Sequence, residues 1–159
     1  MEDILKSAVE WLGAGERLAL ASLVESGGSI PMSDRAKMLV RQDGSAMGTI
    51  GGGCLEAEIV TTCREVIADG LQRTTRYTMT EKQAGESGLN CGGTVRIFSE
   101  RLSLESDADW LESLIDARDT RRTCILATAL SDVLGPGKAI YYGDGTPNGS
   151  LGSEALDDA

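Results

Sequence analysis

"QDGSAMGTIGGGCL" (Gln42–Leu55) and "GDGTPNGSLGSEAL" (Gly143–Leu156) align without a gap. Asp43 and Gly44 fall on Asp144 and Gly145, Gly48 and Gly51 on Gly149 and Gly152, and Leu55 on Leu156, each 101 positions later. Asp-Gly between apolar runs is a strong hairpin signal. Each stretch therefore reads as a tight turn, a short strand and a glycine turn that opens a helix. Upstream, "LALASLV" resembles "CILATAL", with a shorter connection to the turn in the second. The pairing implies an internal duplication of a helix–strand–strand–strand–helix unit. Each unit has one apolar helix face that must be buried on a sheet, so the expected class is α+β, or α/β: a mixed β-sheet with packed helices. We expect a single domain over residues 1–159, with repeat unit one at about 1–100 and an incomplete unit two at about 105–159.

Outward from the turns, "DILKSAVEWL" places Ile4, Leu5, Ala8, Trp11 and Leu12 on one helical stripe, stopped at Gly13. "RLALASLVES" and "AKMLVRQ" have strand length, and a third strand ends at Ile50. From Cys54, the residues Leu55, Ile59, Cys63, Val66 and Ile67 keep helical spacing as far as Gly70, and strands are expected around 72–79 and 94–99. "TEKQAGESGLNCGG" (80–93) reads as a polar loop. A helix at about 107–118 and the strand "TCILATAL" begin the second unit, which stops a few residues into the helix after its glycine turn.

Composition removes several function classes. The hydrophobic share of 41% against 25% charged is that of a globular chain. A formal charge of -10 with 4% aromatics supplies neither a phosphate-neutralising surface nor stacking platforms, so nucleic acid is not an expected partner. No apolar run approaches the roughly 20 residues of a membrane span. The start "MEDILKSAVEW" carries acids where a signal peptide is basic, so no membrane role is expected and the location is read as cytoplasmic. The absence of histidine excludes His-based acid–base catalysis and His-ligated metal. Cys54, Cys63, Cys91 and Cys124 form no CxxC pair, and no metal site is signalled.

The chemistry concentrates at two glycine-flanked thiols. A helix that begins after Gly51-Gly52-Gly53 presents unpaired N–H groups and the positive end of its dipole, a ready anion site. That setting makes Cys54 the strongest reactive-thiol candidate. Cys91, followed by Gly92 and Gly93, is the second; one pocket lined by both segments and two merely tight turns fit the spacing equally. Cys63 and Cys124 lie on apolar patterns and read as small core residues. In unit two, Ser153, Glu154 and Ala155 stand where unit one has Gly52, Gly53 and Cys54. The comparison favours a function for the first copy.

"LALASLVESGGSIP…AKMLVRQDGSAMGTIGGGCLEAEI" followed by "GLNCGGTVRIF" resembles the N-terminal domain of the XdhC/CoxI family, accessory proteins of molybdenum hydroxylases. The resemblance covers nearly the whole chain. It implies a protein that binds the molybdenum cofactor, molybdopterin, as cargo. Such a protein assists the cofactor's sulfuration and protection and delivers it to an apo-hydroxylase of the xanthine dehydrogenase or carbon monoxide dehydrogenase type. On this resemblance Gly51, Gly52, Gly53, Cys54, Glu56, Cys91, Gly92 and Gly93 are the cofactor-binding candidates, and Glu56 either bonds pterin nitrogens or favours the helix dipole. A cysteine desulfurase is a further implied partner; a second copy of the chain is expected separately, to cover the sheet face that the missing helix of unit two would cover. Met32 and Arg35 depart from the family pattern, and the dinucleotide signature of the C-terminal Rossmann-like domain of longer members is not in this sequence. The competing readings are a sulfurtransferase carrying a persulfide on Cys54 and a non-catalytic docking scaffold.

Overall fold

The computed structural model describes residues 3–28, 33, 36–79, 93–130 and 137–158. Met32, Arg35, Cys91, Gly92 and, apart from Gly93, the loop expected at 80–93 lie outside these. The elements are α1 (Ile4–Gly13), β1 (Leu18–Gly28), β2 (Lys37–Arg41), β3 (Ala46–Thr49), α2 (Cys54–Asp69), β4 (Arg73–Met79), β5 (Gly93–Leu102), α3 (Leu104–Asp119), β6 (Cys124–Thr128), β7 (Lys138–Tyr142), β8 (Pro147–Ser150) and α4 (Glu154–Asp157). The α+β class expected from the sequence is observed. The described strand pairs are antiparallel and divide between a five-stranded sheet, ordered β3-β2-β1-β5-β4, and a three-stranded sheet, β6-β7-β8.

The chain forms two compact units, the first built mainly from residues 16–102 and the second from 5–15 with 103–159. In the first, α2 lies across β1, β2, β4 and β5. Its stripe of Leu55, Ile59, Cys63, Val66 and Ile67 packs with Ala19, Ala21 and Leu23 of β1, and with residues of the other strands, into one apolar cluster. Burying each large member of that stripe stabilises by about 1.5–3 kcal/mol. Leu18 and Leu20, on the opposite face of β1, are buried as well, which is why this strand is aliphatic without alternation. The ladder with β5 shifts register between Leu23 and Glu25, and from Val24 onward β1 is exposed. A bulge thus ends the core segment. The helix closes on Gly70, in the left-handed region, whose N–H donates to the Val66 carbonyl.

In the second unit, α3 packs on β7. Ser103 caps α3: its hydroxyl accepts from Ser106 N, and Ser103 N donates to Asp107 Oδ2 at 2.9 Å. Asp107 also accepts from Trp110 Nε1 at 2.7 Å and from Ser106 Oγ at 2.6 Å, and it faces the buried Lys138 ammonium. Ile125 of β6 is 67% exposed. Among the described residues no helix is long and apolar enough to cross a membrane.

The two units share a numerical register. In the first, Lys37 pairs with Thr49 and Met38 with Gly48; in the second, Lys138 pairs with Ser150 and Ala139 with Gly149, each 101 positions later. Asp43 accepts from Ser45 N, and Asp144 from Thr146 N. Both glycines of the short strands approach their neighbour so closely that a Cβ would meet a carbonyl oxygen: Lys37 O at 2.4 Å for Gly48, Lys138 O at 2.3 Å for Gly149.

Candidate functional site

The turn between β3 and α2 runs through three successive glycines of positive φ: Gly51 at 85°, Gly52 at 75° and Gly53 at 67°. An L-residue avoids this region, and Gly53, with ψ −142°, lies where essentially only glycine is stable. The GGG run is therefore a backbone requirement of this turn. Unit two builds its turn differently. Gly152 keeps the positive φ, 94°, but Ser153 is extended and leads directly into α4, so the helix begins one aligned position earlier than α2 does. The sequence reading treated the two turns as one; the backbone separates them after Gly51.

Gly53 occupies the N-cap of α2 and provides no side-chain cap. The first N–H groups of a helix have no intrahelical acceptor, and here they begin beside an exposed thiol, Cys54. A Cβ placed on Gly52 would meet nothing within 4 Å among the described residues, so on this side they leave the turn open. Glu56 closes the other side. Its Oε1 accepts from Thr49 Oγ1 at 2.5 Å, from Ile50 N at 3.2 Å and from Gly52 N at 3.2 Å. Glu56 is an acid in the first turn of α2, where its charge also complements the helix dipole. Thr49 as a partner of this carboxylate was not anticipated from sequence. The signal was present in the hydroxyl-to-acid spacing, Thr49 with Glu56 and Ser150 with Asp157, which recurs at the same offset of 101.

The remaining cysteines separate by environment. Cys63 is fully buried, and burial pushes its thiol up to about 11, the hydroxyl of Ser99 3.9 Å away offsetting this only in part. Cys124, expected in the core, is only partly buried in β6. Cys91 and Gly92 lie outside the described residues. Gly93 is buried at the start of β5, paired with Gly28 and Met79. The register places Gly93 well beyond the glycine turn along the five-stranded sheet. Thr49 is level, through Lys37, with Ser22, and Gly93 with Gly28, six residues on and so about 20 Å further along the strand direction. Among the described residues no group of three or more cysteines or acids is disposed to hold a metal.

A sequence model of the XdhC and CoxI family matches residues 11–78, a span that runs through the glycine turn and the whole of α2. The match takes in less than half of the chain. Two relatives from Escherichia coli K12 resemble the chain. The uncharacterized protein YqeB is 38% identical over 80 residues, covering 50% of this chain and 15% of YqeB. The molybdenum cofactor insertion chaperone PaoD is 34% identical over 105 residues, covering 62% of this chain and 31% of PaoD. Among solved structures, one described as a xanthine dehydrogenase from Bacillus halodurans superposes with a TM-score of 0.72 at 21% identity, over 94% of this chain and 45% of that one. That likeness is one of fold. The chain thus spans less than half the length of each of these proteins.

Proposed function

We propose that this chain is the cofactor-holding part of a molybdenum hydroxylase accessory protein, which binds the molybdenum cofactor as cargo, shelters it during sulfuration and passes it to the apo-hydroxylase. One observation carries the reading: the family match runs through a turn whose backbone is spent on an uncapped helix N-terminus with an open flank and an exposed thiol. The similarity to PaoD points the same way. In this reading the first-turn amides of α2 meet the anionic end of the cofactor. Cys54, with Cys91 and Gly92 from the following segment, faces its sulfur-bearing end. The exposed sulfur of Cys54 is also what a persulfide carrier requires.

The experiment is co-expression with cofactor biosynthesis, followed by assay of the purified chain for pterin and molybdenum. Near-stoichiometric pterin supports the chaperone. Cyanide-labile sulfur on the chain without pterin would replace it by the sulfur carrier. Neither, in a folded protein, would leave a docking scaffold.

We infer further that the two units descend from one duplicated ancestor, the support being the shared register of β2–β3 and β7–β8 and the two Asp-Gly turns. Unit two is without counterparts of Gly52, Gly53 and Cys54.

A further inference from the structure

Resting on the reading above, we infer that Glu56 is a positioning residue and not a cofactor ligand: its carboxylate fills the donor nest of the glycine turn and so fixes where the amides beyond Gly52 point. Three donors, the Thr49 hydroxyl and the Ile50 and Gly52 amides, converge on the single oxygen Oε1. Such a convergence is the arrangement by which a loop binds a foreign anion. Here the anion is the protein's own. The Ile50 and Gly52 amides are consequently withheld from any ligand.

Unit two supplies an independent comparison. Asp157, 101 positions after Glu56, accepts from Ser150 Oγ at 2.7 Å and from Leu151 N at 2.6 Å, the counterparts of Thr49 and Ile50. The same clamp therefore exists where the glycines and the thiol do not, so its task is to build the turn. The longer Glu56 side chain adds what Asp157 does not provide, a bond to Gly52 N inside the positive-φ run. Unit one has extended a structural clamp to hold the backbone at the open flank.

The test uses the full chain with Glu56→Ala, Glu56→Gln and Asp157→Ala, read by amide hydrogen exchange at Ile50 and Gly52 and by pterin retention after co-expression. Loss of a charge-assisted bond in Glu56→Ala should speed exchange at both amides by about tenfold or more, and pterin retention should fall with it. Glutamine keeps a carbonyl acceptor at Oε1 and should restore both readouts to within about threefold of the parent. Asp157→Ala should leave retention unchanged. If Glu56→Gln loses pterin while its exchange stays slow, the charge contacts the cofactor and the positioning role is overturned. Unchanged exchange in Glu56→Ala, or fast exchange with undiminished retention, also overturns it. Should Glu56→Ala not fold, Thr49→Val, which removes one donor, takes its place with the same expectations at smaller size. A parent chain that retains no pterin overturns the function proposed above and the positioning role with it, while the exchange data still decide whether the clamp exists.

Discussion

Lys138 Nζ lies 3.8 Å from Asp107 Oδ1, with the two side chains only 5% and 6% exposed, and 5.2 Å from the centre of the Trp110 ring. The ion pair spans the packed surface between β7 and α3. Because Asp107 also accepts from Trp110 Nε1 and Ser103 N, removing it takes the buried carboxylate from the Lys138 ammonium and from two further donors together. Asp107→Ala should therefore destabilise the second unit by about 3–5 kcal/mol in urea unfolding. Replacing both partners, Asp107→Leu with Lys138→Met, should recover part of this loss; a double variant no more stable than the single one would show that the charge pairing is not the source.

Cys63 gives a pH signature. Burial holds its thiol neutral up to about 11, above the ordinary value of 9.0. A raised folded-state pKa contributes stability that is complete below pH 9 and is lost as pH rises toward 11. Unfolding free energy should decline across this window in the parent and decline less in Cys63→Ala. Parallel pH profiles would contradict the assignment.

Two glycines of similar φ should respond differently to alanine. At Gly48 the new Cβ would meet Lys37 O at 2.4 Å and Ile4 Cδ1 at 2.7 Å, whereas at Gly52 it would meet nothing. Gly52→Ala should cost about 1–2 kcal/mol, the left-handed backbone penalty alone. Gly48→Ala adds a backbone clash and should cost more, shifting the thermal midpoint further down. Equal shifts would mean the strand can part from its neighbour without loss.

The thiols should label in order of exposure. In a Cys91→Ser background, a maleimide should modify Cys54 under native conditions and Cys63 only on unfolding, with peptide mass mapping as the readout. Rapid native labelling of Cys63 would be incompatible with the core described.

Much of this architecture was legible because its signals are local. Glycine at 70 and the 3.6-residue stripe from Leu55 fixed both ends and the buried face of α2, and the aliphatic run from Leu18 announced a strand, though not its burial on both faces. The division into two sheets was not legible, since strand partners are chosen by tertiary packing and not by the period of either strand. At the site, the triplet of glycines was conspicuous, but its meaning depends on φ values that glycine's own permissiveness leaves open. The Glu56 clamp escaped because Thr49 and Glu56 are seven residues apart across a strand, a turn and a helix, and no single element's periodicity relates them.

Gly52 stands in open space with φ +75°. What the position rejects is consequently a handedness and not a volume: its positive φ is the mirror image of the negative φ that L-residues prefer, and a D-residue adopts it without strain. In a chemically assembled chain, D-alanine at 52 should hold the turn at least as firmly as glycine, by removing alternatives from the unfolded ensemble, while L-alanine loosens it. The opening of this helix is a short stretch of opposite chirality set into an L-protein.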